Sequence, residues 1–163
     1  MEKPVNDRHH ALLWSGKKGF PMLMYELGVL VTTGEIAYIR GLYPGSQNDW
    51  GMYRYYNMAQ YLLPGKLCLA DLGYLGFPHM VVPFKRIFTN TPLSPEQAAF
   101  NEEHGSYRVI VENTIGRIKT FKCVATTFRH DLHDHATFFN VCAQLTNIRL
   151  RVDPLRQEGC WYV

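Results

Sequence analysis

Apolar and polar positions divide the first half of the chain into two short apolar runs and one helical pattern. Residues 21–33 and 35–43 are rich in apolar and β-branched side chains. Thr33 and Gly34 form a turn signal between them, so the two runs predict an antiparallel hairpin. Residues 50–63 place apolar side chains near one face of a helix, and Asn48 or Asp49 is a suitable cap for it.

The second half predicts two short strands followed by helices. Residues 66–70 form a short apolar run that predicts a buried central strand ending at Asp71, and residues 80–84 predict a second strand. Ser94 and Pro95 begin a helix that we expect to break or bend near Gly105. A second helix over 107–121 and a last helix near 132–151 follow, whereas residues 1–15 and 152–163 show little periodicity.

Composition indicates a folded domain with a modest positive charge. Hydrophobic residues make up 47% of the 163 residues, aromatic residues 13% and charged residues only 19%, which argues against disorder and favours one domain. The net charge is +3, which permits a nucleic-acid partner without requiring one.

Cysteine spacing and the polar start of the chain bear on the compartment. The four cysteines show no Cys-x-x-Cys spacing, which favours buried free thiols in a reducing compartment; they are Cys68, Cys123, Cys142 and Cys160. No signal peptide is visible, and no apolar stretch approaches the length of about 18 residues that a membrane span needs. We therefore expect an intracellular protein that does not cross a membrane.

Two acidic residues 41 positions apart are the strongest candidates for chemistry. Asp71 ends the apolar run, and Glu112 lies in an amphipathic helix between Arg108 and Lys119. A carboxylate at a strand end and one on a helix can share a divalent cation, and Mg²⁺ or Mn²⁺ prefers such oxygen ligands. Taken singly, Asp71 also fits a turn former and Glu112 a solvated helix face, whereas together they favour a metal site.

Histidine and basic residues give weaker signals. Residues 128–135 hold three histidines and two aspartates, but a zinc site needs converging ligands. The spacing favours a polar loop that leads into the last helix, with Asp131 or Asp134 as its cap. Scattered cations can contact phosphates or simply lie on solvated faces; they are Lys85, Arg86, Arg117, Lys119, Lys122 and Arg129.

Several runs, taken in order, resemble the DDE superfamily endonuclease domain of Harbinger-type transposases. They are residues 70–74 (Ala-Asp-Leu-Gly-Tyr), 83–84 (Pro-Phe), 93–101 (Leu-Ser-Pro-Glu-Gln-Ala-Ala-Phe-Asn) and 108–119 (Arg-Val-Ile-Val-Glu-Asn-Thr-Ile-Gly-Arg-Ile-Lys). Residues 15–19 and 44–49 resemble the segments that flank its hairpin. Residues 142–147 resemble its last helix, although Thr146 stands where the family usually has histidine. The likeness spans roughly residues 12–150.

The resemblance implies an α/β fold of the RNase H-like type, with a mixed sheet flanked by helices. It implies catalysis with Mg²⁺ or Mn²⁺ and DNA as the substrate. It makes Asp71 and Glu112 the second and third catalytic acids and metal ligands. Arg108 and Lys119 flank Glu112 on one helix face, where they are candidates either to contact phosphates or to pair with Glu112. Asp49 falls in the matching loop, where it lies near the site or caps the helix, and we favour the cap.

The resemblance also implies that the first strand, which carries the first acid, is missing. The nearest candidate is Asp7, which lies in a polar stretch without a strand pattern. We therefore expect an endonuclease domain over residues 1–151 that is incomplete at its N-terminus, followed by a tail over 152–163. Without an edge strand, the hairpin would expose an unpaired edge.

Two functions remain open. The first is a transposase-derived nuclease that hydrolyses DNA or transfers strands in its intact form. The alternative is a catalytically inactive remnant that binds DNA or protein, and we expect this chain alone to be inactive or nearly so. No element has the pattern of a base-recognition helix, so specific DNA binding calls for a separate DNA-binding partner protein. A homo-oligomer is compatible with the sequence, and the resemblance implies a nuclear location.

Overall fold

The computed structural model describes residues 11–56, 58–86 and 92–155, which fall into two compact units. The first unit comprises residues 1–47 and 110–163, and the second comprises residues 48–109. The strands are β1 (Trp14–Ser15), β2 (Phe20–Pro21), β3 (Leu23–Val29), β4 (Ile36–Pro44), β5 (Cys68–Leu69) and β6 (Met80–Val81). The α-helices with defined bounds are α1 (Asp49–Tyr56), α2 (Pro95–Ile118), α3 (Lys122–Ala125) and α4 (His135–Val152).

The predicted hairpin is confirmed and forms the centre of the first unit. Strands β3 and β4 pair antiparallel, with Leu27 opposite Ile39 and Val29 opposite Ile36. The preceding residues also form structure that the sequence did not predict, since β1 and β2 make a two-residue antiparallel ladder.

Helix α4 packs its buried face against the hairpin. Ile36, Ile118, Phe139, Cys142 and Ala143 form the core cluster, and all are less than 9% exposed. Tyr25 also packs against this cluster and stacks on Phe139, with ring centroids 3.7 Å apart. The predicted last helix is confirmed, with a 3₁₀ turn over Leu132–Asp134 ahead of it.

The turn between β3 and β4 is held by side chains from both long helices. The Asn147 amide accepts the Ile36 N–H at 2.8 Å and donates to the Ile36 carbonyl at 2.9 Å. Thr114 donates to the Gly34 carbonyl at 2.8 Å. Gly34 has a φ of 82°, and a Cβ there would lie 2.7 Å from Leu155 Cδ1, so this position requires glycine.

The second unit contains a parallel strand pair instead of the predicted buried central strand. β5 and β6 pair in parallel over two residues each. Leu67 is 63% exposed and Leu69 is 41% exposed, so the prediction of a buried strand over 66–70 is wrong. Between the turn at 64–65 and the 3₁₀ turn that begins at Leu72, only Cys68 and Leu69 form strand.

Helix α2 starts as predicted but does not break at Gly105. The Gln97 N–H donates to Ser94 Oγ at 3.2 Å, and the Ser94 N–H donates to Gln97 Oε1 at 3.1 Å, which is a capping box. The helix then continues without interruption to Ile118. A helical glycine costs only about 1 kcal/mol relative to alanine, which the rest of a 24-residue helix can offset.

The first helix is shorter than the predicted span of 50–63. Helix α1 ends at Tyr56, and a 3₁₀ turn occupies Met58–Tyr61. Three two-stranded sheets and the helices around them give a mixed α/β arrangement over the described ranges. In the same ranges, no helix is both long enough and apolar enough to cross a membrane.

The described cysteines Cys68, Cys123 and Cys142 are free thiols as predicted, but Cys68 and Cys123 are only half-buried. Cys142 is buried, and its Sγ lies 3.6 Å from Cys123 Sγ. Burial and the neighbouring Cys123 raise the pKa of Cys142 to about 11. The fourth cysteine, Cys160, lies outside the described residues.

Replacing Asn147 with alanine is expected to lower the free energy of unfolding by about 2–4 kcal/mol. The change leaves the buried N–H and carbonyl of Ile36 without their side-chain partner. Urea denaturation of wild type and variant measures the loss. Asn140→Ala, at an exposed position of the same helix, is the matched control and should change stability by less than about 0.5 kcal/mol. Equal losses in both variants would contradict the role given to the amide.

A second prediction concerns pH. His135 is buried, and this burial lowers its pKa below 6.5. Because the folded state favours the neutral ring, its contribution to stability is present above pH 6.5 and is lost as the pH falls through the lowered pKa. We expect wild type to lose more stability than His135→Gln as the pH falls below 6.5. Parallel stability curves for the two proteins, measured in urea at several pH values, would refute this.

Candidate functional site

Asp71 lies at the carboxyl end of the parallel strand pair. The Cys68 N–H donates to the His79 carbonyl at 2.9 Å, and the Ala70 N–H donates to the Val81 carbonyl at 2.8 Å. Asp71 follows directly and leaves the ladder. Asp71 therefore lies at the carboxyl end of β5, as the sequence predicts, although β5 is shorter than expected.

Backbone hydrogen bonds fix the orientation of Asp71. Its Oδ1 accepts the Leu72 N–H at 2.8 Å, and its carbonyl accepts the Tyr74 N–H at 2.9 Å. Asp71 is thus the N-cap of the 3₁₀ turn Leu72–Tyr74. Its side chain is 55% exposed, so the carboxylate is open to ligands.

Helix α1 supports the segment that follows Asp71. Tyr53 is only 4% exposed and packs its ring on Phe77, with centroids 4.1 Å apart, and edge-on against Tyr74. Its hydroxyl donates to the Pro78 carbonyl at 3.1 Å. We call the 3₁₀ turn Leu72–Tyr74, with its N-cap Asp71, the acidic turn. The buried Tyr53 side chain therefore holds the residues that follow this turn, Phe77 and Pro78.

The first half of helix α2 holds the other strand of the pair. His104 is 3% exposed, and its Nε2 lies 3.2 Å from the Val81 carbonyl. Asn101 accepts the Phe84 N–H at 2.8 Å and donates to the Phe84 carbonyl at 2.9 Å. The β6 segment is therefore tied to a long helix, although its own ladder is only two residues long.

Asp49 does not act as the helix cap that we favoured. Asn48 has that role, since its Oδ1 accepts the Gly51 N–H at 2.8 Å. Asp49 is instead the first residue of helix α1, and its carboxylate lies against Gly73, where a Cβ would be 2.7 Å from Oδ2. A second carboxylate therefore lies beside the turn that Asp71 begins.

Arg108 is the cation that the structure brings to Asp71. Its Nη1 lies 3.7 Å from Asp71 Oδ1, and the two side chains are about half exposed. Such an exposed ion pair contributes only about 0–1 kcal/mol to stability. Both the Leu72 N–H and Arg108 approach Oδ1, which leaves Oδ2 as the oxygen best placed to ligate an ion.

Glu112 and Lys119 are exposed, as their predicted roles require. Glu112 lies on helix α2, and Lys119 follows its last residue, with the Lys119 N–H still donating to the Ile115 carbonyl at 3.0 Å. Seven residues correspond to nearly two helical turns, so the two positions share one side of the helix. The buried Thr114 and Ile118 occupy another side, which packs in the core of the first unit.

The histidine-rich segment leads into the last helix as predicted, but neither aspartate caps that helix through its side chain. The Asp131 carboxylate accepts the His133 N–H at 2.9 Å and caps the 3₁₀ turn, while the Asp134 side chain makes no capping bond. His130 stacks on Phe138, and the Tyr25 hydroxyl lies 2.7 Å from His135 Nδ1.

Arg117, one of the candidate cations, has a structural partner. It binds Asp153, donating to its carbonyl at 2.7 Å and to its carboxylate at 3.0 Å. Lys122 and Arg129 are exposed, as are Lys85 and Arg86 in the second unit. Arg117 is therefore better explained as a structural ion pair.

The donor chemistry of Asp71 suits a hard divalent cation. An exposed carboxylate with one oxygen anchored and the other available is the kind of ligand that Mg²⁺ and Mn²⁺ prefer. Within the described ranges, no group of three or more His, Cys, Asp or Glu side chains is arranged to hold a metal ion. The candidate for the first acid, Asp7, lies outside the described residues.

Comparison with known families decides the assignment. A family model described as DDE superfamily endonuclease matches residues 1–147. The chain belongs to this family. The match includes both acids, Asp71 and Glu112, and both candidate phosphate contacts, Arg108 and Lys119. Comparisons with curated proteins and with solved structures gave no significant match.

Two supporting residues were not singled out from the sequence. Tyr53 lies in the predicted helix over 50–63, and no local signal indicates that it packs against the residues that follow Asp71. Asn147 belongs to the run 142–147 that carries the resemblance, and its buried amide bonds show that it joins helix α4 to the hairpin. Both act through contacts between segments distant in sequence.

Replacing Tyr53 with alanine is expected to loosen the acidic turn. The change removes a buried aromatic ring and should cost about 3–5 kcal/mol. Hydrogen exchange of the amides in residues 68–81 should accelerate, including the Leu72 amide that donates to Asp71. Tyr61→Ala, at a tyrosine that is 53% exposed, is the control and should leave this exchange unchanged. Unaltered protection of residues 68–81 in Tyr53→Ala would contradict the proposed support.

Proposed function

We propose that this DDE superfamily endonuclease domain serves divalent-metal-dependent cleavage or strand transfer of DNA. Asp71 and Glu112 are the proposed metal ligands and catalytic acids. The observation that carries the proposal is the family match over residues 1–147, which includes both acids. The exposed, backbone-anchored carboxylate of Asp71 supports it.

Asp71 is suited to hold a metal ion in a fixed position. The Leu72 N–H holds Oδ1, so the carboxylate loses little freedom when Oδ2 binds a cation. Glu112 would offer a second carboxylate from the exposed side of a rigid helix. Bound Mg²⁺ or Mn²⁺ neutralises charge on the phosphoryl group and activates the attacking water or hydroxyl.

Arg108 and Lys119 are the proposed phosphate contacts. Arg108 carries a planar set of donors that can bind two phosphate oxygens at once, and it already lies beside Asp71. Lys119 is exposed at the end of helix α2 and adds a point charge. A DNA phosphate approaching Asp71 would therefore meet a cation from the same unit.

Finer assignments follow the resemblance described above. We propose a Harbinger-type origin, an RNase H-like fold and a nuclear location. A separate DNA-binding partner protein would supply sequence specificity, since the candidate contacts address the phosphate backbone.

A second candidate function is a catalytically inactive module that binds DNA or protein. The Arg108 contact favours it, because a guanidinium 3.7 Å from Asp71 Oδ1 already balances part of the charge that a metal ion would otherwise balance. The two candidates differ in whether Asp71 binds a divalent cation and whether its loss changes activity.

Binding of Mn²⁺ tests the role of Asp71 without requiring turnover. We expect paramagnetic broadening of the Leu72, Gly73 and Tyr74 amide signals at low Mn²⁺ concentration. Asp71→Asn should weaken this binding by about tenfold or more. Asp131→Asn is a matched control, because Asp131 is also exposed and also caps a 3₁₀ turn. Equal broadening in wild type and Asp71→Asn would refute a metal site at Asp71.

Plasmid nicking in Mn²⁺ separates the two candidates. The 163-residue chain alone is expected to nick supercoiled DNA weakly or not at all, because its first acid is not identified. Nicking that Asp71→Ala abolishes and Asp131→Ala preserves would overturn the inactive-module alternative. DNA binding without nicking, together with no Mn²⁺ binding at Asp71, would favour that alternative.

A further inference from the structure

Helix α4 carries a second apolar stripe on the side opposite its buried face. The stripe consists of Phe138, Val141, Leu145, Ile148 and Val152, which are 40%, 53%, 47%, 58% and 84% exposed. Successive members are three and four residues apart, so they fall on one side of the helix over about 21 Å. The residues that face the core occupy other positions of the same helix.

This spacing is the heptad pattern of a helix that packs against another helix. A helix that is apolar on two opposite sides is normally covered on both. Single exposed apolar residues are ordinary, whereas five in register over two heptads form a continuous contact surface. Phe138, the least exposed of the five, is partly covered by the rings of His130 and Phe128 and forms the edge of this surface. The stripe contains no cation, so it is unsuited to bind a phosphate backbone.

Charge at the two ends of the stripe indicates the partner. Asp134 is exposed just before the first turn, and Arg149 and Arg151 are exposed in the last turn, with Arg151 also bound to Glu35 at 2.8 Å. The helix itself contains no acidic residue. The element is therefore negative at its start and positive at its end, and an antiparallel copy of itself complements both ends.

We propose that the α4 stripe is a homodimer interface in which two copies of this chain pair α4 antiparallel about a twofold axis. Antiparallel pairing places Phe138 of one copy at the level of Ile148 of the other, and Val141 at the level of Leu145. The same register brings Asp134 beside the Arg149 and Arg151 end of the other helix. Antiparallel helix dipoles favour the same arrangement. The proposal is independent of the proposed nuclease chemistry.

Analytical ultracentrifugation of the full chain over a range of concentrations tests the proposal. The wild-type mass should approach twice the chain mass of 18.8 kDa. Leu145→Lys places a charge at the centre of the stripe on both copies and should weaken association by about thirtyfold or more. Leu30→Lys, at an apolar residue that is 47% exposed on the hairpin, is the control and should leave association unchanged. Circular dichroism checks that each variant is folded.

A charge exchange tests the antiparallel orientation. Asp134→Arg should weaken association severalfold, because it places like charges together at both ends. The double variant Asp134→Arg with Arg149→Glu should restore association. A monomeric wild type at every concentration would overturn the proposal, as would a Leu145→Lys chain that dimerises as well as wild type. A double variant without rescue would overturn the antiparallel arrangement.

Discussion

The two hydrogen bonds between the Asn147 amide and the main chain of Ile36 join helix α4 to the hairpin of the first unit. They occur where β4 begins, so they fix both the end of the hairpin turn and the position of helix α4. Thr114 adds a bond to the Gly34 carbonyl from helix α2. Because side chains of both α2 and α4 bind the β3–β4 turn, they also fix where the core residues Ile118 and Phe139 pack against the hairpin.

The acidic turn is held by side chains from neighbouring helices and not by a long strand ladder. The strand pair that carries Asp71 is only two residues long, so its ladder alone provides little rigidity. Support comes from the buried Tyr53 beneath the turn and from His104 and Asn101 beside the partner strand. Packing and side-chain bonds thus replace the long central strand that the apolar run had suggested.

Local signals in the sequence predicted the elements that depend on neighbouring residues. The glycine turn of the hairpin, the Ser94 cap and the last helix were all identified correctly, because their signals lie within a few positions of one another. The break at Gly105 was wrong, because one glycine is a weak signal against the pattern of a long helix. The strand predicted over 66–70 exists only at Cys68–Leu69, and its predicted burial was wrong, because apolar composition does not reveal which residues will cover a segment.

The candidate site was only partly predictable for a related reason. The acids Asp71 and Glu112 could be selected from motifs, but the Asp71 contact with Arg108 and the place of Asp49 beside Gly73 depend on how distant segments pack. The family match covers both Asp71 and Glu112, and their use as metal ligands is our proposal.

The support that Tyr53 gives to the turn after Asp71 has a consequence for comparing related chains. The position of the Asp71 carboxylate depends on a tyrosine eighteen residues earlier in the chain. A change at Tyr53 can therefore displace Asp71 while the aspartate itself is unchanged. An inspection of Asp71 alone would miss that difference, whereas an inspection of the aromatic residues that pack beneath the turn would reveal it.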